Sequence, residues 1–213
     1  MATTNRDLRN RSYGQTWHLT PGDRLGVWLS ALQVRRQIPN FRGLDVADIG
    51  CGYHATFART LLDSVRSLSL VDLAIAPDLH ANEKTYVIEG QLPGALERLS
   101  DSSLDVIVCN SVLEHLWEPL ETLSHFRRLL RPGGLALVNV PSWRGKTFLE
   151  LSAFRLHLSP PDEMNDHKAY YDPRDLWPLL VRGGFLPREI RCFTHKLGLN
   201  TFAVCRRAAE PQL

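Results

Sequence analysis

An α/β fold, with a largely parallel sheet covered by helices on both faces, is predicted by three observations. Short apolar runs alternate with helical patterns from residue 44 onward, and such alternation favours the crossover connections of a parallel sheet. The first run, Val46-Ala47-Asp48-Ile49, ends in Gly50-Cys51-Gly52, a strand feeding a tight turn where backbone without Cβ lets a ligand come close. Two apolar runs near the C-terminus are joined by so short a link that they must pair antiparallel.

The elements follow in order. Residues 1 to 16 read by composition as poorly ordered, or ordered only against a ligand. Thr20-Pro21-Gly22-Asp23 starts a helix, with Thr20 as cap and Asp23 at the capping-box position. Leu25, Trp28, Leu29 and Leu32 give that helix one apolar face. Pro39 to Gly43 breaks it before a strand over Leu44 to Ile49. Ala55, Ala58, Leu62 and Val65 share a face, with Phe57 and Leu61 beside it, and predict a helix after the glycine turn. Leu68 to Val71 reads as a strand ending at Asp72, and Tyr86 to Ile88 as a third. Ala95 to Leu99 looks helical, Asp101-Ser102-Ser103 is a turn, and Asp105 to Cys109 is an apolar strand. One helix is expected from Leu113 to Leu130, stopped by Arg131-Pro132-Gly133-Gly134. Leu135 to Val140 is a fifth strand closed by Pro141. Residues 142 to 172 are too long for an ordinary connection and read as a functional lid with its own short helix. Asp172-Pro173-Arg174-Asp175 starts a helix that runs to Leu180 and stops at Gly183-Gly184. Phe185 to Phe193 and Leu199 to Cys205 are strands around His195-Lys196-Leu197-Gly198. The chain thus divides into an N-terminal arm and helix (1–43), a domain over 44–206 and a tail over 207–213.

Composition excludes several classes of partner. A net charge of +2 over 213 residues gives no global basic field for nucleic acid. Arg35, Arg36 and Arg42, and again Arg127, Arg128 and Arg131, form only local patches of the kind that solvated helix ends produce. The cysteines at 51, 109, 192 and 205 have no C-x-x-C or zinc spacing and read as reduced thiols, which implies the cytoplasm. The polar start of the chain lacks the apolar core of a signal peptide. No apolar run approaches the ~20 residues that span a bilayer.

Asp48 decides which nucleotide suits the glycine turn. Gly50 to Ala55 also satisfies the dinucleotide pattern G-x-G-x-x-A, and Asp72 lies where that pattern wants an acid. A dinucleotide, however, seats a doubly charged pyrophosphate there, and a carboxylate two residues earlier repels it in a partly dry cleft. S-adenosylmethionine brings an ammonium and a sulfonium instead, so the same carboxylate attracts. An NAD(P)-dependent oxidoreductase stays open as an alternative, as does a protein that binds S-adenosylmethionine without turnover.

Several blocks then line up: Asp48-Ile49-Gly50-Cys51-Gly52, Val71-Asp72, Glu89-Gly90-Gln91-Leu92-Pro93, Leu104 to Leu116 with Val112-Leu113-Glu114-His115 inside it, and Leu130 to Gly134. Together they resemble the class I S-adenosylmethionine-dependent methyltransferases, in the small-molecule branch with a V-L-E-H segment, over residues 44 to 206. The resemblance implies a Rossmann-like, seven-stranded sheet whose last strand is antiparallel. It implies that Asp48, Gly50, Cys51 and Gly52 surround the methionine part of the cofactor and that Asp72 accepts from the ribose hydroxyls. It places Gln91 and Leu92 at the adenine, and Asn110 and Ser111 between the methionine part and the acceptor. The family often has a third glycine where His54 stands.

An oxygen or nitrogen acceptor must lose a proton, and His115, after the fourth strand, is the candidate base. Glu114 is its simplest partner in sequence, although adjacent helical residues do not share a face. The lid offers Trp143, His157, His167, Tyr170 and Tyr171, of which Trp143, His167 and Tyr170 are expected acceptor contacts. Tyr13, Trp17 and His18 precede the first helix and either fold over the cofactor or pack. Asp162, Glu163, Asp166 and His167 read as a solvated stretch with no second ligand group, so no metal site is expected. Asn110-Ser111-Val112-Leu113 lacks the Pro-Pro-aromatic run of enzymes that methylate amino groups of DNA bases. A pyrimidine-attacking Pro-Cys pair and the double glutamate of protein arginine methyltransferases are absent too. The expected partner is a small-molecule methyl acceptor or a sugar- or lipid-linked intermediate, with methyl going to oxygen, nitrogen or carbon and no nucleic acid or membrane span involved.

Overall fold

Seven strands form one sheet in the order β3-β2-β1-β4-β5-β7-β6. They are β1 (Asp45–Ile49), β2 (Ser67–Asp72), β3 (Thr85–Glu89), β4 (Leu104–Asn110), β5 (Leu130–Pro141), β6 (Ile190–His195) and β7 (Asn200–Arg206). The computed structural model describes residues 11–16, 20–150 and 166–209. Strands β1 to β5 pair in parallel, and β7 lies antiparallel between β5 and β6, as the spacing predicts. The central strands β1 and β4 are buried along almost their whole length, which is why they read as continuous apolar runs rather than alternating ones. Two apolar clusters cover the two faces. One is built on Ile49, Ile107, Leu123, Phe126 and Leu180, the other on Val34, Leu61, Leu68, Leu137 and Phe202.

The helices are α1 (Pro21–Gln37), α2 (Thr56–Arg59), α3 (Pro77–His80), α4 (Pro119–Leu129), α5 (Trp143–Glu150) and α6 (Pro173–Arg182). The capping box at Thr20 is present: Asp23 N–H donates to Thr20 Oγ1 at 3.2 Å and Thr20 N–H to Asp23 Oδ2 at 2.9 Å. The face of α1 differs from expectation. Leu25 and Trp28 are 56% and 58% exposed, whereas Ser30, Gln33 and Val34 are buried. The sheet beneath offers a buried Asn139 amide, which donates to Ser30 Oγ at 3.2 Å, so a polar side of the helix turns inward.

The helix after the glycine turn is a single turn instead of three. From Thr60 on, the hydroxyls of Thr60 and Ser64 donate to the carbonyls of Phe57 and Leu61, at 2.7 and 2.9 Å. Such local bonds compete with helical ones. Ala55, Phe57, Ala58, Leu61 and Val65 are nonetheless buried, so the apolar pattern was legible while its backbone was not. The helix expected over 113–130 is also split. A short 3₁₀ turn holds Leu113–His115, and α4 starts only at Pro119, where proline is accommodated in a first turn and nowhere later. Strand β6 starts at Ile190 rather than Phe185, because Pro187 opens a 3₁₀ turn first.

The arginine patches are largely engaged by the fold. Arg131 reaches Asp45 at 2.7 Å and Asp105 at 2.8 Å, and Arg127 Nε donates to the Gly184 carbonyl at 2.7 Å. All four cysteines are free thiols. No helix among the described residues is long and apolar enough to cross a membrane.

Candidate active site

The carboxyl ends of β1, β2, β4 and β5 open onto one edge of the sheet, and the chemistry-bearing residues collect there. Asp48 is 4% exposed on β1 and makes no hydrogen bond among the described residues. Burial first, and then the nearby Asp72 charge, push its carboxyl up to about 7. A buried acid left without donors is costly unless a cation comes to it. Burial also drives the Cys51 thiol far above its ordinary range, which makes it packing rather than a nucleophile.

Gly50 and Gly52 both have positive φ, 72° and 73°. At Gly50 the turn presses on Val112, where a Cβ would lie 2.2 Å from Cγ2. Helix α2 has four residues and no side-chain cap, so the charge it focuses at its start is small and it makes a poor seat for pyrophosphate. Ala55 takes a left-handed φ of 42°. His54 is exposed, its ring edge-on to Tyr53 at 5.0 Å.

Residues 11–16 are ordered over this turn, contrary to their composition. Ser12 is 1% exposed. Its hydroxyl donates to Asp72 Oδ1 and accepts from Ala74 N–H at 2.6 Å. Tyr53 N–H donates to the Tyr13 carbonyl at 2.9 Å. Asp72 also accepts from Gly52 N–H and Leu73 N–H, both at 2.7 Å. Three donors therefore fill most of the roughly four acceptor positions of a carboxylate. Of the expected adenine contacts, Gln91 is exposed and Leu92 packs on the core. Trp17 and His18 lie outside the described residues.

Between β4 and β5 the floor is polar. Asn110 and Asn139 are register partners, and the Oδ1 of each is buried without a hydrogen bond. Ser111 N–H donates to the Asn139 carbonyl at 2.7 Å, which holds Ser111 at a positive φ of 55°. Orphaned acceptors at a strand end of this kind are what a ligand with donor groups satisfies.

The segment 166–172 crosses these strand ends. Lys168 N–H donates to the Glu114 carbonyl at 2.6 Å and Tyr171 N–H to the Pro141 carbonyl at 3.0 Å. Trp143, at the start of α5, donates its N–H to the Asp172 carboxylate at 3.3 Å. This pinning lines up His115, His167, Tyr170 and Trp143 in a run of ring contacts. The His167 ring lies 4.8 Å from His115 and 5.4 Å from Tyr170, and Tyr170 lies 5.6 Å from Trp143. Tyr170 is buried at 8% exposure, not an exposed loop residue. His157, Asp162 and Glu163 lie outside the described residues.

The partner of His115 is Asp166, not Glu114: Nδ1 and Oδ2 are 3.0 Å apart. Burial pushes the imidazolium down, but the Asp166 bond and the Glu114 charge outweigh it, and His115 titrates above its ordinary value. Burial raises Asp166 too, yet His115 and Lys168 hold it at about 2. His167 is pushed down to about 4 by burial and by His115, so it is neutral at pH 7. Glu114 is 1% exposed, its carboxyl raised to about 7 by burial, with Oε2 unpartnered. Lys196, on the β6–β7 turn, faces Glu114 and is lowered to about 8 by burial. Sequence reasoning missed Ser12, Asn139, Lys196 and the Asp166–His115 pairing. These contacts cross 51 or more positions between unlike segments, and no local pattern announces them.

A family model described as a methyltransferase domain matches residues 22–188. A ubiquinone biosynthesis O-methyltransferase of Aeromonas salmonicida is 27% identical over 156 residues, covering 70% of this chain and 65% of that protein. A "probable S-adenosylmethionine-dependent methyltransferase" of Mycolicibacterium smegmatis is 34% identical over 162 residues, covering 74% of this chain and 58% of that one. The chain thus spans about three fifths of the length of these relatives. Among solved structures, a SAM dependent methyltransferase from Archaeoglobus fulgidus superposes with a TM-score of 0.60 at 18% identity, covering 84% of this chain and 93% of that one.

Proposed function

The chain belongs to the methyltransferase-domain family, and from that premise we propose that it transfers the methyl group of S-adenosylmethionine to a hydroxyl of a small molecule. The observation that carries the oxygen acceptor is the His115–Asp166 pair at 3.0 Å on the edge of the sheet. Beyond His167, which contacts His115, Tyr170 and Trp143 form an aromatic wall that suits a ring or a sugar face. The relative from Aeromonas, named for O-methyl transfer in ubiquinone biosynthesis, supports the same atom.

When bound, the cofactor supplies a methyl group activated by its sulfonium. Asp48 gives its positive end a carboxylate, and Gly50 and Gly52 let it approach the backbone. Asn110 offers its orphaned Oδ1 to a donor. Asp72 takes the ribose once the Ser12 hydroxyl gives way. His115 receives the acceptor's proton through Nε2, while Asp166 on Nδ1 fixes the tautomer and stabilises the imidazolium. Because His115 is basic only above its raised pKa, kcat climbs with pH through a value above 6.5.

Transfer of labelled methyl to a panel of catechol and phenol acceptors tests this. Asp166→Asn is expected to lower kcat about tenfold, to move the pH profile toward acid, and to leave S-adenosylmethionine affinity unchanged. A wild-type profile flat from pH 5.5 to 8.5, or a variant with unaltered kcat, removes the His115–Asp166 base from the account.

A further inference from the structure

We infer that Glu114, His115 and His167 form a binding site for one divalent transition-metal ion of the zinc type. One ligand atom from each lies within 4.8 Å of the others. Tetrahedral zinc, with bonds of about 2.0–2.1 Å, holds its ligands roughly 3.3 Å apart. The widest pair therefore closes by at most about 1.5 Å on binding.

Two further observations point to an ion rather than to an accidental cluster. Each imidazole already has Nδ1 oriented by an oxygen, Asp166 Oδ2 at 3.0 Å for His115 and Tyr170 Oη at 3.1 Å for His167. That leaves Nε2 of both rings without a hydrogen bond among the described residues. An oxygen on the far nitrogen is the outer-shell arrangement that metal-bound histidines use. Independently, Glu114 is 1% exposed and its Oε2 has no partner, a buried acceptor that an ion satisfies.

The charges around the cluster choose the kind of ion. Lys168 Nζ already pairs with Asp166, and Lys196 faces Glu114, so two ammonium groups offset two carboxylates. Little net negative field remains to hold magnesium or calcium, which want several oxygens. Two imidazoles and one carboxylate suit zinc or cobalt, which bind nitrogen strongly. Three protein ligands leave a fourth position open. Coordination uses the Nε2 lone pair of His115, so the metal-loaded chain and the proton-accepting His115 are mutually exclusive states. The inference does not depend on methyl transfer, and its test needs no acceptor.

The full chain, freed of metal with a chelator and dialysed, is titrated with Zn²⁺ by calorimetry and with Co²⁺ by visible absorption. One equivalent of Zn²⁺ is expected to bind at micromolar Kd or tighter, displacing Co²⁺ from a tetrahedral spectrum. Mg²⁺ is expected not to compete. His167→Ala and Glu114→Gln should each weaken Zn²⁺ at least about tenfold, whereas His80→Ala, remote from the cluster, should not. Thermal midpoints confirm that each variant is folded, and His167→Gln replaces any that is not. No saturable Zn²⁺ binding, wild-type affinity in folded His167 variants, or equal competition by Mg²⁺ overturns the site.

Discussion

Gly50→Ala is expected to abolish S-adenosylmethionine binding and to cost about 2–5 kcal/mol of stability. Gly50 sits at φ 72°, a left-handed backbone that charges a Cβ-bearing residue roughly 1–2 kcal/mol. The new methyl would lie 2.2 Å from Val112 Cγ2, 3.3 Å from its Cβ and 3.4 Å from its Cγ1. A β-branched side chain that is 9% exposed cannot swing clear, and overpacking of this sort costs about 1–3 kcal/mol. Relief therefore comes from moving the turn, which also carries Gly52 N–H away from Asp72, now 2.7 Å distant. Denaturant unfolding measures the stability loss, and calorimetry measures the cofactor. Wild-type affinity in this variant would show that the glycine turn is not the cofactor's seat.

Asp48→Asn is expected to do two things that ordinarily do not go together: weaken the cofactor and strengthen the fold. Removing one partner of a buried charge pair costs about 2–4 kcal/mol, or roughly 30- to 1,000-fold in affinity. Stability moves the other way. The Asp48 carboxyl is raised to about 7 in the folded chain, so the folded state holds a proton that the unfolded chain has released. Stability from this group is full below about pH 4, falls as pH rises toward 7, and stays low above it. At pH 8 the asparagine escapes that penalty, and after about 1–3 kcal/mol for an imperfectly bonded amide the variant should gain on the order of 1–3 kcal/mol. Such a trade is characteristic of groups kept for binding rather than for folding. A variant that loses stability at pH 8, with cofactor affinity intact, would mark Asp48 as a structural residue.

The sheet was legible because its central strands are apolar on both faces and its breaks carry Gly and Pro. The run Val46 to Gly52 fixes β1 and its turn, and Leu135 to Val140 fixes the body of β5, which in the structure starts earlier, at Leu130. Helix extents were less legible. The hydroxyls of Thr60 and Ser64 bond backward and cut α2 to one turn, and Pro119 splits what reads as one periodic helix. The face of α1 was misread because Ser30 turns inward to accept from Asn139, a tertiary demand that the pattern of Leu25, Trp28, Leu29 and Leu32 does not register. In the site, residues on strand ends could be placed in advance, since topology alone assembles Asp48, Asp72 and Asn110. What could not be read was the pairing of His115 with Asp166 and of Asp72 with Ser12. In each case a loop or arm is laid across the strand ends by backbone bonds such as Lys168 N–H to the Glu114 carbonyl.

The central claim is that a buried carboxylate at the end of the first strand selects a cationic sulfur nucleotide. Calorimetric titration of the wild-type chain with S-adenosylmethionine at pH 5.5 and pH 7.5, with NAD⁺ alongside, tests it most directly. If only the ionised Asp48 binds, with its carboxyl at about 7, S-adenosylmethionine should bind roughly 25-fold more tightly at pH 7.5, with close to one proton released on binding at pH 5.5, and NAD⁺ should not bind. An affinity for S-adenosylmethionine that is the same at both pH values, or a tighter complex with NAD⁺, would contradict the claim.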